Sequence, residues 1–429
     1  MSLPKKQDAK VQCYIETTNT FSKKIRTFAE KKHITSMRTA IIGGGAAGFF
    51  LAINLKEMMP EMDVTIFERS QRVLAKVEIS GGGRCNCTNS FEDVRDLSAV
   101  YPRGHRLLKR LFKGFNHEDA YNWFERHGVE LVTQDDQCVF PVSQDSHTII
   151  NCFLTEASRH HIEIRKGIKI TSLDDLADYD YIAVTTGGSP RAEGLQWLAK
   201  MGHEIEEPVP SLFTFNIDDD QLKKLMGTVV ENASAMIPGT KMRTSGPLLI
   251  THWGMSGPAI LKLSSHAARL LHDNLYFLPL SINWTNHTDA KVMEEIYRLK
   301  ALYPQKQLTS IRPFDLPRRL WEYLAEKAIP TLHSPLSSLT KKDINRLVNV
   351  LCNDTYQITG RSAFKEEFVT CGGVSLSSVN SATLESKYRK HLYFAGEVLD
   401  IDGVTGGFNF QAAWTTAYTI ATAIRKENT

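Results

Sequence analysis

Thr39-Ala40-Ile41-Ile42-Gly43-Gly44-Gly45-Ala46-Ala47-Gly48 runs a short strand-forming segment straight into a G-x-G-x-x-G turn, and the apolar residues that follow stop at Pro60. Strand, tight turn and helix together account for every residue of the segment, which predicts a strand over 39–42 and a helix over about 46–58. A second strand, 64–67, ends at Glu68. Strand, helix and strand within about 30 residues form one right-handed parallel unit, the nucleus of a doubly wound sheet. In such a unit Gly43 makes the turn, Gly45 lets backbone amides approach a pyrophosphate, and Gly48 lets the helix pack on the strand. Ala46 and Ala47 complete the loop that takes the ADP half of a dinucleotide. Glu68 stands 20 residues beyond Gly48, at a strand end where a carboxylate accepts both ribose hydroxyls of the adenosine. Arg69 belongs to the same strand end.

The 429 residues exceed the usual size of a single core, so two or three domains are expected. A 42% hydrophobic and 23% charged composition describes a globular, enzyme-like body. A net charge of only +3, with no long basic face interleaved with aromatics, argues against a nucleic-acid partner and leaves a small molecule as the expected one. Seven cysteines, an odd number scattered without zinc-type double pairs, predict a reduced, cytoplasmic protein with no metal site. The uncharged stretch 39–55 follows a basic N-terminus and is long enough to suggest a signal peptide or membrane span, but three consecutive glycines argue against both. No membrane association is expected, and nothing here specifies an oligomeric state.

Residues 1–36 are polar and lysine-rich without a sustained apolar period, and read as an N-terminal extension. A first part of the dinucleotide domain is expected over 37–190, where Ile182 to Thr186 forms a buried-type strand running into Gly187 and Gly188. Between 191 and 343 the texture changes. Ser211 to Ile217, Thr228 to Ile237, Pro247 to His252 and Leu275 to Asn283 look like strands without intervening helices, so an antiparallel insert is expected. It turns helical over Asp289 to Leu302, Leu316 to Ala328 and Lys341 to Cys352, the last preceded by a Thr340-x-x-Asp343 capping box. The second part of the dinucleotide domain is expected over 344–429, where strand 392–395 passes through a glycine-rich loop into an amphipathic helix. The fold class is therefore α/β: a Rossmann-type dinucleotide-binding domain carrying an inserted antiparallel and helical domain.

FAD and NAD share the first fingerprint, and two later segments favour FAD. Ser80 to Asn89, with Gly82, Arg84, Cys85 and Asn86, is a loop dense in amides and short polar side chains, suited to following a phosphate and sugar chain. Gly396-Glu397-Val398-Leu399-Asp400, with Gly403 and Gly406 to Gln411, places a strand-end carboxylate for a ribitol hydroxyl. The helix that opens near Gly407 offers unpaired amides to the pyrimidine edge of a reduced flavin. His252, ending an insert strand before the Gly254 to Pro258 loop, and Arg84, as a flavin-side cation, are the candidate catalytic side chains.

The chain resembles the aminoacetone-oxidase-like family of FAD-dependent oxidoreductases, often described as NAD(P)/FAD-dependent. The likeness rests on IIGGGAAG (41–48), ISGGGRCNCTN (79–89), VFPVS (139–143), TTGGSP (185–190), HWGMSGPAILKLSS (252–265), TCGGVSL (370–376) and LYFAGEVLDIDGVTGGFNFQAAW (392–414). It implies a fold of the α/β class, a Rossmann-type, glutathione-reductase-like FAD-binding domain with an inserted antiparallel β-barrel-like and helical domain placed over the isoalloxazine. Carried onto this sequence, Gly43, Gly45 and Gly48 take the pyrophosphate and Glu68 the adenosine ribose. Arg84 and Asn86 lie along the flavin, Ile170 meets the adenine through its backbone, Gly187 lies near the ADP, and Glu397, Asn409 and Gln411 serve the ribitol and ring end. Cys87 departs from the family pattern, which is aliphatic there. The Cys85-x-Cys87 pair suggests a redox dithiol, although a one-residue gap strains a disulfide.

The implied function is hydride transfer between flavin N5 and a small organic substrate, an amine or a carbonyl-conjugated alkene, with the protein supplying orientation and electrostatics. No second dinucleotide fingerprint follows residue 190, so NAD(P)H, if it is the reductant, docks transiently at the flavin face; oxygen is the other candidate redox partner. The alternatives are a flavin-dependent RNA-modifying or RNA-binding protein and a non-catalytic flavin sensor.

Overall fold

The computed structural model describes residues 36–189, 191–329, 335–362 and 369–429. Apart from Ser36, the N-terminal extension lies outside them. Strand Arg38–Ile42, helix Ala46–Met58 and strand Asp63–Glu68 follow in turn, and the two strands pair in parallel, Thr39 opposite Val64 and Ile42 opposite Phe67. The helix is buried continuously from Ala47 to Leu55. With no polar face it must be covered all round, and the final helix, Phe408–Glu427, does so, Trp414 meeting Phe50 at 5.1 Å between ring centres.

Five parallel strands lie in the order Leu392–Phe394, Tyr181–Val184, Arg38–Ile42, Asp63–Glu68, Glu163–Lys166. From the first strand the chain moves outward on one side to 63–68 and 163–166, then returns to build 181–184 and 392–394 on the other. The reversal leaves a crevice at the carboxyl end of Arg38–Ile42, the place where open α/β sheets bind ligands.

The excursion between Glu68 and Glu163 is richer than the sequence suggests. It holds helices Ala75–Gly83, His105–Leu111, His117–Arg126 and Ser146–Arg159, and a three-stranded antiparallel sheet of Thr88–Asn89, Cys138–Pro141 and Leu131–Thr133. Segment 80–89, expected as a loop along the cofactor, is the end of a helix that unwinds at Ser80 and then joins this small sheet.

The insert is a closed antiparallel barrel in the order Val229–Met236, Arg243–Ile250, Gly254–Ser256, Phe215–Ile217, Asp354–Arg361, Leu278–Asn283. Strands Ile205–Ser211 and Val369–Val374 pair antiparallel beside it and carry the chain in and out. The expected strand 211–217 is broken because Leu212 takes φ +58°, and the strand expected from Leu275 begins at Leu278 because Leu275 and Tyr276 turn at φ +53° and +57°. Gly254–Ser256, expected as loop, is a strand paired on both sides. Helices Asp289–Leu302, Arg318–Ala328 and Lys341–Cys352 form, the last with its Thr340–Asp343 capping box. The second hydrophobic core runs from Phe213 to Ile358, so the division expected at 343/344 cuts through it. Helix Lys341–Cys352 and strand Asp354–Arg361 belong to the barrel, because that strand closes it between Phe215–Ile217 and Leu278–Asn283.

Among the described residues no helix is long and apolar enough to cross a membrane, and no group of three or more His, Cys, Asp or Glu could hold a metal ion.

Candidate functional site

The crevice is lined first by the turn after Arg38–Ile42. The Gly43 amide donates to the Phe67 carbonyl at 2.8 Å, and Thr185 Oγ1 donates to the Gly43 carbonyl at 2.9 Å. A Cβ on Gly43 would lie 2.4 Å from the Thr185 oxygen with φ at +121°, and one on Gly48 would lie 2.1 Å from the Gly43 oxygen, so both glycines are required by packing. A Cβ on Gly45 would meet nothing within 4 Å. That side is open, and there the helix begins with no side-chain cap. Asn116, Thr288 and Thr340 cap other helices, while the helices at Pro258 and Arg318, like this one, have no side-chain cap. The amides of Ala46, Ala47 and Gly48 therefore face the opening with the positive end of the helix dipole, a cradle that fits a pyrophosphate.

Glu68 closes the neighbouring strand. Its Oε2 accepts from the Gly44 amide at 2.9 Å and its Oε1 from the Ser70 amide at 2.8 Å. The carboxylate thus braces the glycine turn, and each oxygen keeps a second lone pair for a ribose hydroxyl. Arg69 beside it is exposed. Ile170 lies just beyond the strand Glu163–Lys166, its side chain on the core, and its backbone makes no hydrogen bond among the described residues, as an adenine contact requires.

The last strand brings in the second loop. A Cβ on Gly396 would stand 3.1 Å from that of Ala47, so this loop packs on the start of the first helix. Glu397 is already paired: Oε1 accepts from the Thr370 amide at 2.7 Å and Oε2 holds Lys76 Nζ at 2.9 Å. It lies beside Gly187 and Gly188, a Cβ on the latter falling 2.7 Å from Glu397 Oε1. The sheet therefore brings Gly43 to Gly48, Glu68, Gly187, Gly396 and Glu397 to one edge.

The glycine-rich opening of the final helix differs from the sequence expectation. Asn409 spends both ends of its amide on Gly403, accepting from the amide at 2.8 Å and donating to the carbonyl at 2.9 Å. Gln411 is fully buried; Oε1 accepts from Thr88 Oγ1 at 2.7 Å and Nε2 donates to Thr415 Oγ1 at 3.1 Å. Both side chains thus hold protein partners at the opening of the final helix. A Cβ on Gly407 would overlap the Thr88 carbonyl at 2.2 Å, so this glycine is fixed by protein packing rather than by close approach to a flavin. The Asn86 carboxamide holds the same junction, donating to the Thr88 carbonyl at 2.8 Å and accepting from the Gly407 amide at 3.2 Å. The amides of Phe408, Asn409 and Phe410 have no side-chain cap, so a second uncapped helix start stands at the crevice.

Arg84 braces its own loop. It donates to the Gly81 carbonyl and to Gln144 Oε1, each at 3.2 Å, and lies 4.1 Å over the Phe140 ring. Gly82 beside it is open, a Cβ there meeting nothing within 4 Å. Cys85 and Cys87 are wholly buried free thiols. Burial pushes Cys85 up to about 12 and Cys87 well above the ordinary thiol range, so neither is a thiolate. The dithiol reading falls, and the Cys85 side chain cannot touch a cofactor because the core encloses it. His252 is exposed, its ring 4.5 Å from that of Trp253. Pairing places Ser256 beside Thr214 and Trp253 beside Ile217, so His252 lies beyond the end of the strand Gly254–Ser256 that is opposite the Thr214 end.

Several site residues carry no role in the sequence reading. Thr185, Thr370 and Asp402 lie inside quoted motifs but signal nothing by type. Lys76 and Arg103 lie outside every motif. Arg103 meets the fully buried Asp402 through two parallel hydrogen bonds and donates to the Ser265 carbonyl at 2.9 Å, while Ser211 Oγ donates to Asp402 Oδ2 at 3.1 Å. Burial pulls Arg103 down, but Asp402 outweighs it and holds the guanidinium above its ordinary value. This cluster joins the excursion, the C-terminal loop, the entry strand and the barrel's Pro258–His266 helix.

A family model described as the HI0933-like protein Rossmann domain matches residues 37–423. Among characterised proteins, a 3-dehydro-bile acid delta(4,6)-reductase of Clostridium scindens is 25% identical over 406 residues, covering 89% of this chain and 97% of that protein. A ribosomal RNA dihydrouridine synthase of Haemophilus influenzae is 27% identical over 411 residues, covering 90% and 98%. Among solved structures, the open conformation of a flavocytochrome c3 fumarate reductase is 13% identical with a TM-score of 0.42, covering 94% of this chain and 81% of that one.

Proposed function

The chain belongs to the HI0933-like Rossmann family, and from that premise we propose that it is an FAD-dependent oxidoreductase that reduces a carbon–carbon double bond conjugated to a carbonyl. The observation that carries the reading is the meeting of two uncapped helix starts in one crevice, Gly45 to Gly48 and Gly407 to Phe410, with the loops locked together where Gly396 lies against Ala47. One suits a pyrophosphate. The other suits the electron-rich edge of a flavin ring, so a cofactor with a dinucleotide span fits both. Bound FAD supplies hydride exchange at N5. The chain's residues do the rest: the first helix start holds phosphate, Glu68 holds ribose, and the barrel covers the crevice.

The substrate class is supported by two relatives of nearly full length. A bile acid delta(4,6)-reductase and a dihydrouridine synthase both add hydrogen across a double bond conjugated to a carbonyl. The acceptor proposed here is a small enone, with NADH or NADPH as a transiently docked donor. A second reading, uridine in ribosomal RNA as acceptor, is favoured by the second relative, whereas the net charge of +3 favours the small molecule. The purified protein is expected to be yellow and to release FAD. Chromatography that finds FMN, or a colourless protein that FAD cannot reconstitute, contradicts the proposal.

A further inference from the structure

The cradle that fits a pyrophosphate is edged by two carboxylates. Glu68 Oε2 accepts from the Gly44 amide at 2.9 Å, and Glu397 follows Gly396, which lies against Ala47. Both repel a doubly negative pyrophosphate set between them, and the helix start answers with only about half a positive charge. A cation at the same edge offsets that repulsion, and helix Ala75–Gly83 supplies one. The entry to this helix is tied to the glycine turn: the Leu74 amide donates to the Gly44 carbonyl at 2.8 Å, and Val73 Cγ1 lies 3.0 Å from a Cβ built on Gly44. Lys76, in the first turn, reaches Glu397, its Nζ donating to Oε2 at 2.9 Å. The lysine thus starts beside Gly44 and ends beside Gly396 and Ala47, so its side chain crosses the mouth of the cradle. Nearby, Arg72 is paired with Glu78 and Arg84 bonds the Gly81 carbonyl. The Lys76 side chain is 53% exposed and that of Glu397 only 17%. The carboxylate is also held through Oε1 by the Thr370 amide at 2.7 Å, so of the two partners the ammonium is the one free to move.

Resting on the FAD reading above, we propose that the Lys76–Glu397 ion pair is a strap across the cradle that exchanges partners when a dinucleotide binds: Lys76 passes from the carboxylate to a phosphate oxygen, and Glu397 Oε2 is released to accept a hydroxyl further along the cofactor. The exchange gives up a half-exposed ion pair, which contributes little, for a charge-assisted bond to a more highly charged group. Lysine suits it because a compact ammonium on a flexible stem can swing between two acceptors. Glu397 keeps its place meanwhile, since its other oxygen stays on the strand Val369–Val374.

ADP and adenosine test this, because they differ by the diphosphate and neither carries a flavin. Calorimetric titration of the full-length protein stripped of cofactor is expected to show Lys76→Gln binding ADP about tenfold more weakly than wild type, with adenosine unchanged within about twofold. Lys76→Arg is expected to stay within about threefold of wild type for ADP. Glu397→Gln is expected to move the other way and bind ADP up to about fivefold more tightly, because the lysine no longer has to leave a carboxylate. Added to Lys76→Gln, the same replacement is expected to gain less. Lys76 is half exposed, so its variants are expected to melt with the wild type and decide the matter even where Glu397→Gln does not fold. Equal ADP affinity in wild type and Lys76→Gln, a loss as large for adenosine as for ADP, or a folded Glu397→Gln that binds ADP more weakly overturns the strap while leaving the FAD reading in place. A wild type that takes up neither ADP nor FAD overturns that reading, and the strap with it.

Discussion

Arg103→Met is expected to destabilise the protein by about 3–5 kcal/mol, because it leaves the carboxylate of Asp402 buried without a countercharge. Asp402 is wholly inaccessible, and its other side-chain partner is the hydroxyl of Ser211. One hydroxyl replaces little of a bidentate guanidinium. The double replacement Arg103→Met with Asp402→Asn removes both charges and is expected to recover a large part of the loss, since the penalty lies in the unpaired ion more than in the absent contact. Urea denaturation of wild type, both single variants and the double variant closes the cycle. Single variants as stable as wild type would mean that water reaches Asp402 and that this cluster does not clamp the barrel to the sheet. Arg103 also holds the carbonyl of Ser265 on the barrel helix Pro258–His266, so its loss loosens the barrel's hold on the Rossmann body.

Gly407→Val is expected to weaken both folding and FAD retention. Position 407 has φ +87°, and its Cβ would sit 2.2 Å from the Thr88 oxygen and 2.7 Å from the Asn86 carboxamide. The left-handed backbone alone costs a β-branched residue about 1–3 kcal/mol. Overlap with a main-chain oxygen adds to that, because neither the small sheet nor the final helix can yield without loosening the Trp414 and Phe50 contact beneath them. The first thing a new side chain at 407 meets is protein, so loss of folding and of FAD is expected before any change at the flavin ring. Thermal denaturation beside FAD titration of the apoprotein checks this. Unchanged melting with unchanged affinity would show that the loop has freedom the packing denies it.

The Rossmann unit was legible because its signals are local. Gly43 to Gly48, the spacing to Glu68 and the apolar run to Leu55 lie within about 30 consecutive residues and determine strand, turn and helix by backbone sterics and periodicity. The insert was legible as antiparallel for a similar reason, strands arriving without helices between them. Its closure and its true end were not, because strand Asp354–Arg361 joins the barrel only through pairing with segments some 70 to 140 residues earlier. The site divides the same way. Glycine positions that a Cβ would block were readable from the motif. The polar side chains of these motifs were readable by type but not by direction: Asn409, Gln411 and Arg84 have the chemistry of ligand contacts, yet Asn409 and Arg84 bond within their own loops and Gln411 bonds Thr88 and Thr415. Arg103 left no mark in the sequence, as a single cation gains meaning only from what the fold sets opposite it, here Asp402.

The proposed reaction is tested most directly by the fate of the electrons. The FAD-loaded protein, reduced under anaerobic conditions, is mixed with α,β-unsaturated ketones of increasing size and, separately, with unmodified ribosomal RNA. The expected result is return of the yellow oxidised absorbance with an equal amount of saturated ketone formed. Reduced flavin that persists with every enone and with RNA, and reoxidises only when oxygen is admitted, would contradict it.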